Sequence, residues 1–276
     1  MEKENLKIIF LGNPGFALPS LEALVKENYQ IVGVITSPDK PTGRKQIITP
    51  PPIKVLAEKN NLPIYQPKDK NELLEIVKKL NPDLAVVVAY GMIFPKEVLD
   101  IPKFGFVNIH PSLLPKYRGA TPIQSAILNG DKKTGVSLFL IDEKMDNGPI
   151  LSVKNYELGI MNYEELSKEL ARLGANLLIE ALPKYVSGEI TPLPQNDSLA
   201  TYTKKIKTED AFIDLEKDNP VEMERKIRAL NPEPGTWTIQ NGKRVKILEA
   251  ELIDGKLKIT KIQVEGGKPQ NVCRVV

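Results

Sequence analysis

The chain of 276 residues has the length of one large domain or two smaller ones, and its apolar share of 41% and charged share of 26% are ordinary for a soluble globular protein. The net charge is only +3, and the excess falls entirely after residue 200, which indicates an anionic partner for the C-terminal part but not a dedicated nucleic-acid scaffold. A single cysteine, Cys273, excludes an intrachain disulfide, and no apolar run has the length of a signal peptide or a membrane span, so we expect a cytoplasmic protein with no membrane partner.

The first 188 residues alternate short apolar runs with segments of helical periodicity. The predicted strands are residues 6–11, 30–36, 83–90, 104–110, 134–142 and 148–158. The predicted helices are residues 16–28, 52–61, 71–80, 121–130 and 162–188. The run at 83–90 is apolar almost throughout, as a buried parallel strand is. The alternation predicts an α/β fold around a mostly parallel sheet.

The pattern changes after Gly188. Residues 190–206 are polar and contain prolines, which predicts a linker. A short helix is predicted at 219–230, and short alternating strands with Asn-Gly and Asp-Gly turns follow it. We therefore expect an N-terminal domain over 1–189 and a small β-barrel or sandwich over 207–276.

Several common site motifs are missing from the sequence. It contains no GxxxxGKS/T phosphate loop, no GxGxxG, no CxxC and no GxSxG. Because the chain has one histidine and one cysteine, a zinc site is not expected. GNPG at 12–15 follows the first predicted strand, but its glycine spacing does not fit a dinucleotide turn. A tight turn that opens the first helix is favoured there over a nucleotide site.

The only histidine of the chain, His110, stands at the end of a predicted strand, two residues after Asn108. Side chains two apart on a strand share a face, and open α/β sheets bind ligands at the carboxyl ends of their strands. An amide and an imidazolium side by side can both donate hydrogen bonds to an oxygen that becomes negatively charged. This pair suits a reaction that builds negative charge on a carbonyl oxygen.

A carboxylate would be needed to orient the imidazole and to support its charged form. The segment DEKMDNGPI at 142–150 offers candidates, of which Asp146, before Gly148 and Pro149, is the best placed. Each of these residues also has a structural interpretation, because a lone histidine is often a satisfied structural residue and Asn and Asp are common turn formers. The residues alone leave a carbonyl-transfer site and a purely structural arrangement both open.

Two longer stretches resemble the signature segments of the folate-dependent formyltransferases, NIHPSLLPKYRGATPIQSAI (108–127) and TGVSLFLIDEKMDNGPIL (134–151). The resemblance implies a formyltransferase-type, Rossmann-like domain with a small OB-like C-terminal β-barrel, 10-formyltetrahydrofolate as formyl donor, and no metal. It implies that the catalytic set is Asn108, His110 and Asp146. It also implies a folate site formed by two loops, whose residues are Ser112, Leu113, Leu114, Pro115, Tyr90, Gly91, Met92 and Ile93.

Within the family, the chain resembles most closely the members that formylate the methionine carried by initiator tRNA. Residues 36–67 are similar to the insertion loop with which those members reach the acceptor end of the tRNA. The resemblance implies that the loop binds tRNA through Lys40, Arg44 and Lys45. There are two departures: the loop lacks part of the usual GRGKK run, and family members usually continue well beyond the EGGKP segment near 265–269.

The resemblance thus implies formyl transfer to the α-amine of methionine on initiator methionyl-tRNA, for translation initiation, by an enzyme expected to be a monomer. An N-formyltransferase for a nucleotide-linked aminosugar or another small amine would use the same donor and the same catalytic set, but the basic loop argues against it. A catalytically silent tRNA-binding protein on the same scaffold is another alternative, and the intact Asn-His-Asp set argues against that one.

Overall fold

A seven-stranded sheet forms the centre of the N-terminal part of the chain, and a four-stranded sheet forms the centre of the C-terminal part. The computed structural model describes residues 5–43 and 45–276. The strands are β1 (Lys7–Gly12), β2 (Gln30–Ile35), β3 (Lys40–Thr42), β4 (Ile47–Thr49), β5 (Ile64–Tyr65), β6 (Leu84–Val88), β7 (Phe106–His110), β8 (Arg118–Gly119), β9 (Lys133–Leu140), β10 (Ile150–Glu157), β11 (Tyr202–Thr203), β12 (Trp237–Gln240), β13 (Lys243–Ile253), β14 (Lys256–Val264) and β15 (Gln270–Val275). The helices are α1 (Leu18–Lys26), α2 (Pro52–Lys59), α3 (Lys70–Leu80), α4 (Lys96–Leu99), α5 (Pro122–Leu128), α6 (Tyr163–Val186) and α7 (Pro220–Leu230).

The large sheet has the strand order β10-β9-β7-β6-β1-β2-β5. Strands β5, β2, β1, β6 and β7 run parallel, and β9 pairs antiparallel with β7, so the predicted mostly parallel sheet is confirmed. The chain moves outward from β1 to β2 and β5, then returns to β6 on the other side of β1. Such a reversal opens a crevice at the carboxyl ends of the strands, which is where ligands bind in this class of sheet.

The middle strands of the large sheet are buried because their residues are apolar on both faces. All five residues of β6, LAVVV, are buried, and so are five of the six residues of β1. Helix α3 begins where the Asp69 carboxylate accepts hydrogen bonds from the backbone N–H groups of Asn71 and Glu72. It packs Leu73 and Val77 into the core.

All predicted strands and helices of the first 188 residues are confirmed, with ends that differ by one to a few residues. The largest difference is at the first helix, where a 3₁₀ turn over Gly15–Ala17 precedes α1. The turn expected at GNPG is therefore present, and it does open that helix. Strands β3 to β5, strand β8 and helix α4 are additional to the prediction because each is only two to four residues long, too short to show a periodicity.

The chain folds as two compact units. The first contains the residues up to Arg118 together with Gly135–Tyr156 and Lys168–Thr201. The second contains Gly119–Thr134, Glu157–Ser167 and Tyr202–Val276. The domain boundaries drawn from the sequence at 189 and 206 stay a prediction.

In the second unit the expected barrel takes the form of a four-stranded antiparallel sheet in the order β12-β13-β14-β15. The two predicted hairpin turns are confirmed, since Asn241-Gly242 and Asp254-Gly255 all have positive φ angles. Helix α7 packs against β13 and β14. The core of this unit contains Ile213, Met223, Ile227, Ile247, Leu257 and Ile259.

None of the helices in the described ranges combines the length and the apolar character that a membrane crossing requires.

Candidate active site

The carboxyl end of β7 carries the two polar residues singled out in the sequence. Asn108 is half-buried and lies in register with Val87 of β6 and Phe139 of β9. His110, the last residue of the strand, is 5% exposed, and its ring makes a T-shaped contact with that of Phe139 at a centroid distance of 6.3 Å. The prediction that both residues stand at the carboxyl edge of the sheet is confirmed.

The imidazole of His110 is held at one nitrogen. Its Nε2 lies 2.9 Å from the backbone carbonyl oxygen of Tyr117. A carbonyl oxygen only accepts, so Nε2 carries a proton and donates this bond. The other nitrogen, Nδ1, faces the Asp146 carboxylate, with 3.8 Å between Nδ1 and Oδ2. That separation exceeds a hydrogen bond, so Nδ1 is the ring atom that can bind a substrate, and the Asp146 carboxylate lies beside it.

The loop between β9 and β10 presents Asp146 to His110. Asp142, the other aspartate of this loop, uses its carboxylate within the loop, where it accepts bonds from Lys144 N at 2.9 Å and Asn147 Nδ2 at 3.2 Å. Asp146 has a φ of 50°, a left-handed conformation that Asp tolerates better than most residues. The structure therefore brings together the histidine and the aspartate chosen from the sequence.

Gly148 fixes the far end of this turn. A Cβ atom built on Gly148 would lie 1.7 Å from the Leu140 carbonyl oxygen and 2.9 Å from its carbonyl carbon. The two backbone segments can approach this closely only because the residue has no side chain.

The loop after His110, predicted to bind folate, turns part of itself inward. Ser112 is fully buried, and its hydroxyl donates to the Lys116 carbonyl oxygen at 2.5 Å. Leu114 is also buried, and its N–H donates to the Ser137 hydroxyl at 3.0 Å. Leu113 and Pro115 are half-buried. The folate role of these four residues stays a prediction, and the buried hydrogen bonds indicate that Ser112 shapes the loop rather than touching a ligand through its hydroxyl.

The second predicted folate segment follows β6. Tyr90 is buried and stacks on Phe94 at a centroid distance of 5.9 Å, and burial raises the pKa of its hydroxyl to about 12. Gly91 is exposed with a φ of 81°, Met92 is half-buried and Ile93 is 75% exposed. The folate role of this segment also stays a prediction. Its exposed backbone and apolar side chains fit an aromatic ligand held at the sheet edge.

Asn13, which the sequence did not mark as functional, ties three parallel strands together at this edge. Its amide nitrogen donates to the Tyr90 carbonyl oxygen at 2.5 Å. Its amide oxygen accepts from the Thr36 hydroxyl at 3.0 Å and from the Ser37 N–H at 2.7 Å. Asn13 thus links the ends of β1, β2 and β6. The position of GNPG directly after the first strand indicates a loop at the ligand-binding edge of the sheet. The glycine spacing of a dinucleotide turn says nothing about the asparagine within that loop.

The predicted tRNA loop contains an antiparallel hairpin of β3 and β4. Lys40 and Lys45 are exposed on it, and Arg44 lies outside the described residues. Ile47 and Ile48 are 60% and 62% exposed. At the base, Lys54 Nζ lies 2.7 Å from an Asp39 carboxylate oxygen, and the hydrogen bonds from Lys54 and Gln66 lower the pKa of Asp39. The hairpin therefore stands on a fixed base and presents basic and apolar side chains to solvent.

In the ranges that the structure covers, no three His, Cys, Asp or Glu side chains form a group able to hold a metal ion.

Comparisons with known proteins identify relatives of both parts of the chain. Residues 6–182 match the family profile described as formyl transferase, and residues 205–262 match that of the formyl transferase C-terminal domain. A methionyl-tRNA formyltransferase from Chloroflexus aurantiacus is 46% identical over 248 residues, which cover 89% of this chain and 80% of that protein.

Solved structures share the fold. A methionyl-tRNA formyltransferase from Clostridium thermocellum has a TM-score of 0.63 at 20% identity, with 98% of this chain and 99% of that chain covered. An N-formyltransferase from Helicobacter canadensis, solved with folinic acid and dTDP-3-aminofucose, has a TM-score of 0.67 at 21% identity, with 98% and 100% covered.

Proposed function

The chain belongs to the formyl transferase family, and from this membership we propose that it transfers the formyl group of 10-formyltetrahydrofolate to the α-amine of methionine on initiator methionyl-tRNA. The observation that carries the proposal is the pairing of His110 Nδ1 with Asp146 at 3.8 Å, at the sheet edge where Asn108 also stands. We further propose that the enzyme works in the cytoplasm as a monomer.

The proposed reaction is a displacement at the formyl carbon. The uncharged methionine amine attacks that carbon, so that a C–N bond forms and the π electrons move onto the formyl oxygen. The Asn108 amide and Nδ1–H of His110 donate hydrogen bonds to this oxygen, and the Asp146 carboxylate supports the positive charge on the ring. The electrons then return to the carbonyl, the bond to N10 of the folate breaks, and N10 takes up a proton while the attacking nitrogen loses one.

The proposal is tested by offering several acceptors to the same enzyme with 10-formyltetrahydrofolate. We expect transfer to charged initiator methionyl-tRNA, and we expect Asp146→Asn to lower kcat at least about 100-fold, because the neutral amide cannot support the charged ring. Glycinamide ribonucleotide and nucleotide-linked aminosugars serve as parallel acceptors. Transfer to a small acceptor alone would contradict the tRNA assignment and leave a small-molecule formyltransferase.

The basic side chains of the hairpin give a separate prediction on tRNA affinity. Replacing Lys40 and Lys45 together with alanine should weaken tRNA binding and reduce the slope of log affinity against log salt by about 2, since each lysine on a phosphate contributes about 1. The matched control replaces Lys26 and Lys59, two exposed lysines at helix ends, and makes the same change in net charge. If the two double variants give the same slope of log affinity against log salt, the hairpin does not contact the tRNA.

A further inference from the structure

We propose that Gln195 is a positioning residue that sets the separation of Asp146 from His110, an inference that rests on the function proposed above. Gln195 lies in residues 190–206, the stretch predicted to be a linker. It is 49 residues from Asp146 and 77 residues from Arg118 in sequence. That stretch is anchored to the first unit, because Leu193 and Ile150 exchange backbone hydrogen bonds of 2.7 and 2.9 Å.

The side-chain amide of Gln195 holds the turn that carries Asp146. Its Nε2 donates to the Asp146 carbonyl oxygen at 3.0 Å and to the Gly148 carbonyl oxygen at 2.8 Å. Both N–H groups of the amide are therefore directed at this turn, one on each side of Asn147. The left-handed backbone of Asp146 is held from one side by these bonds and from the other by the close contact between Gly148 and Leu140.

Arg118 determines the orientation of the side-chain amide of Gln195. The guanidinium is 1% exposed, and its Nε and Nη2 donate to Gln195 Oε1 at 3.0 and 2.8 Å. A guanidinium has only donors, so the amide must present its oxygen to Arg118 and its nitrogen to the Asp146 turn. Arg118 Nη2 also donates to the exposed Asp197 carboxylate at 2.8 Å.

The same network reaches the other side of the histidine ring. Arg118 directly follows Tyr117, whose carbonyl oxygen receives the bond from His110 Nε2. Gln195 thus joins the two backbone segments that face the two nitrogens of His110. A shift of about 1 Å in such an arrangement can cost about 100-fold in rate. A residue that touches neither substrate would then control turnover through the position of Asp146.

The test compares the full-length protein with Gln195→Glu and Gln195→Met. The Glu variant keeps an acceptor for the buried guanidinium and loses both donors to the turn, and the Met variant removes both functions without adding charge. Asp197→Asn is the control, because it keeps an acceptor for Arg118 and removes only an exposed charge. Circular dichroism in the near-ultraviolet establishes that each variant is folded.

We expect Gln195→Glu to lower kcat about tenfold or more while KM for the formyl donor and for methionyl-tRNA changes less than twofold, and we expect Asp197→Asn to stay within twofold of the wild type. Because His110 is the only histidine, its two ring nitrogens can be followed directly by ¹⁵N NMR. The Nδ1 resonance should move in both Gln195 variants and should stay at its wild-type position in Asp197→Asn.

A kcat loss below threefold in the folded variants, or a loss with an unchanged Nδ1 resonance, would overturn the inference. Its failure is separate from that of the proposed function. If the wild-type protein transfers no formyl group to methionyl-tRNA, the function fails, and the NMR comparison still decides whether Gln195 positions Asp146 against the ring.

Discussion

Replacing His110 with glutamine is expected to lower kcat by about 10²–10³, the usual cost of removing one donor to an oxyanion. A glutamine amide can reach the Tyr117 carbonyl oxygen as Nε2 of the imidazole does, so the hydrogen bond that holds the loop is kept. What is lost is the second nitrogen, the one that faces Asp146, and with it the ability to carry a positive charge. The decrease should therefore appear in formyl transfer under saturating substrates, and the unfolding temperature should change little.

The matched variant His110→Asn distinguishes the roles of the two ring nitrogens. An asparagine amide is too short to replace Nε2 at Tyr117, but it places a donor near the position of Nδ1. We expect this variant to be less stable than His110→Gln and to keep more of its turnover. Near-normal turnover in His110→Gln would show that the group facing Asp146 is not needed, and the proposed chemistry would then be wrong.

Replacing Gly148 with alanine is expected to lower the free energy of unfolding of the first unit by about 3 kcal/mol or more, the upper end of what overpacking costs. The added Cβ would lie 1.7 Å from a backbone oxygen of β9, and backbone yields less than the end of a flexible side chain. The turn must move away from Leu140, and Asp146 moves with it. Thermal unfolding followed by circular dichroism should show a lower midpoint, and kcat should fall together with it.

Gly15→Ala is the control for this change, since Gly15 lies in the same unit, has no atom within 4 Å of an added Cβ and does not have a positive φ angle. We expect its midpoint to stay within a few degrees of the wild type. If Gly148→Ala unfolds at the wild-type midpoint, the two segments have room to separate, and the turn is not held as described.

The elements that the sequence predicted correctly are those with a strong period or a long apolar run. β6 reads LAVVV and can only be buried on both faces, and α6 keeps a helical period over 24 residues. His110 and Asn108 were placed correctly because a strand end defines both position and face. Asp146 was chosen over Asp142 from its neighbours Gly148 and Pro149, and the structure explains the choice by the loop bonds that Asp142 makes.

The contacts that the sequence could not predict join residues that are distant along the chain. Gln195 and Arg118 are 77 residues apart, and nothing in the local pattern of either indicates the other. Asn13 and Tyr90 are likewise 77 apart. Residues 190–206 are predicted to be a linker because they are polar and contain prolines. Such a composition does not indicate that Gln195 within them binds the turn at Asp146. Local propensity contains no information on such pairings.

The interleaving of the two units has a consequence for the evolution of this chain. Helix α5 comes from the end of the N-terminal half of the chain, yet it packs against α7 within the second unit, and the Arg225 guanidinium lies directly over Gly130, just after the end of α5. A gene fusion or exchange at residue 202 would transplant the C-terminal sheet without α5 and would leave the packed face of α7 uncovered. We therefore expect that the C-terminal part cannot be exchanged alone, and that viable exchanges carry residues 119–134 and 157–167 from the same parent.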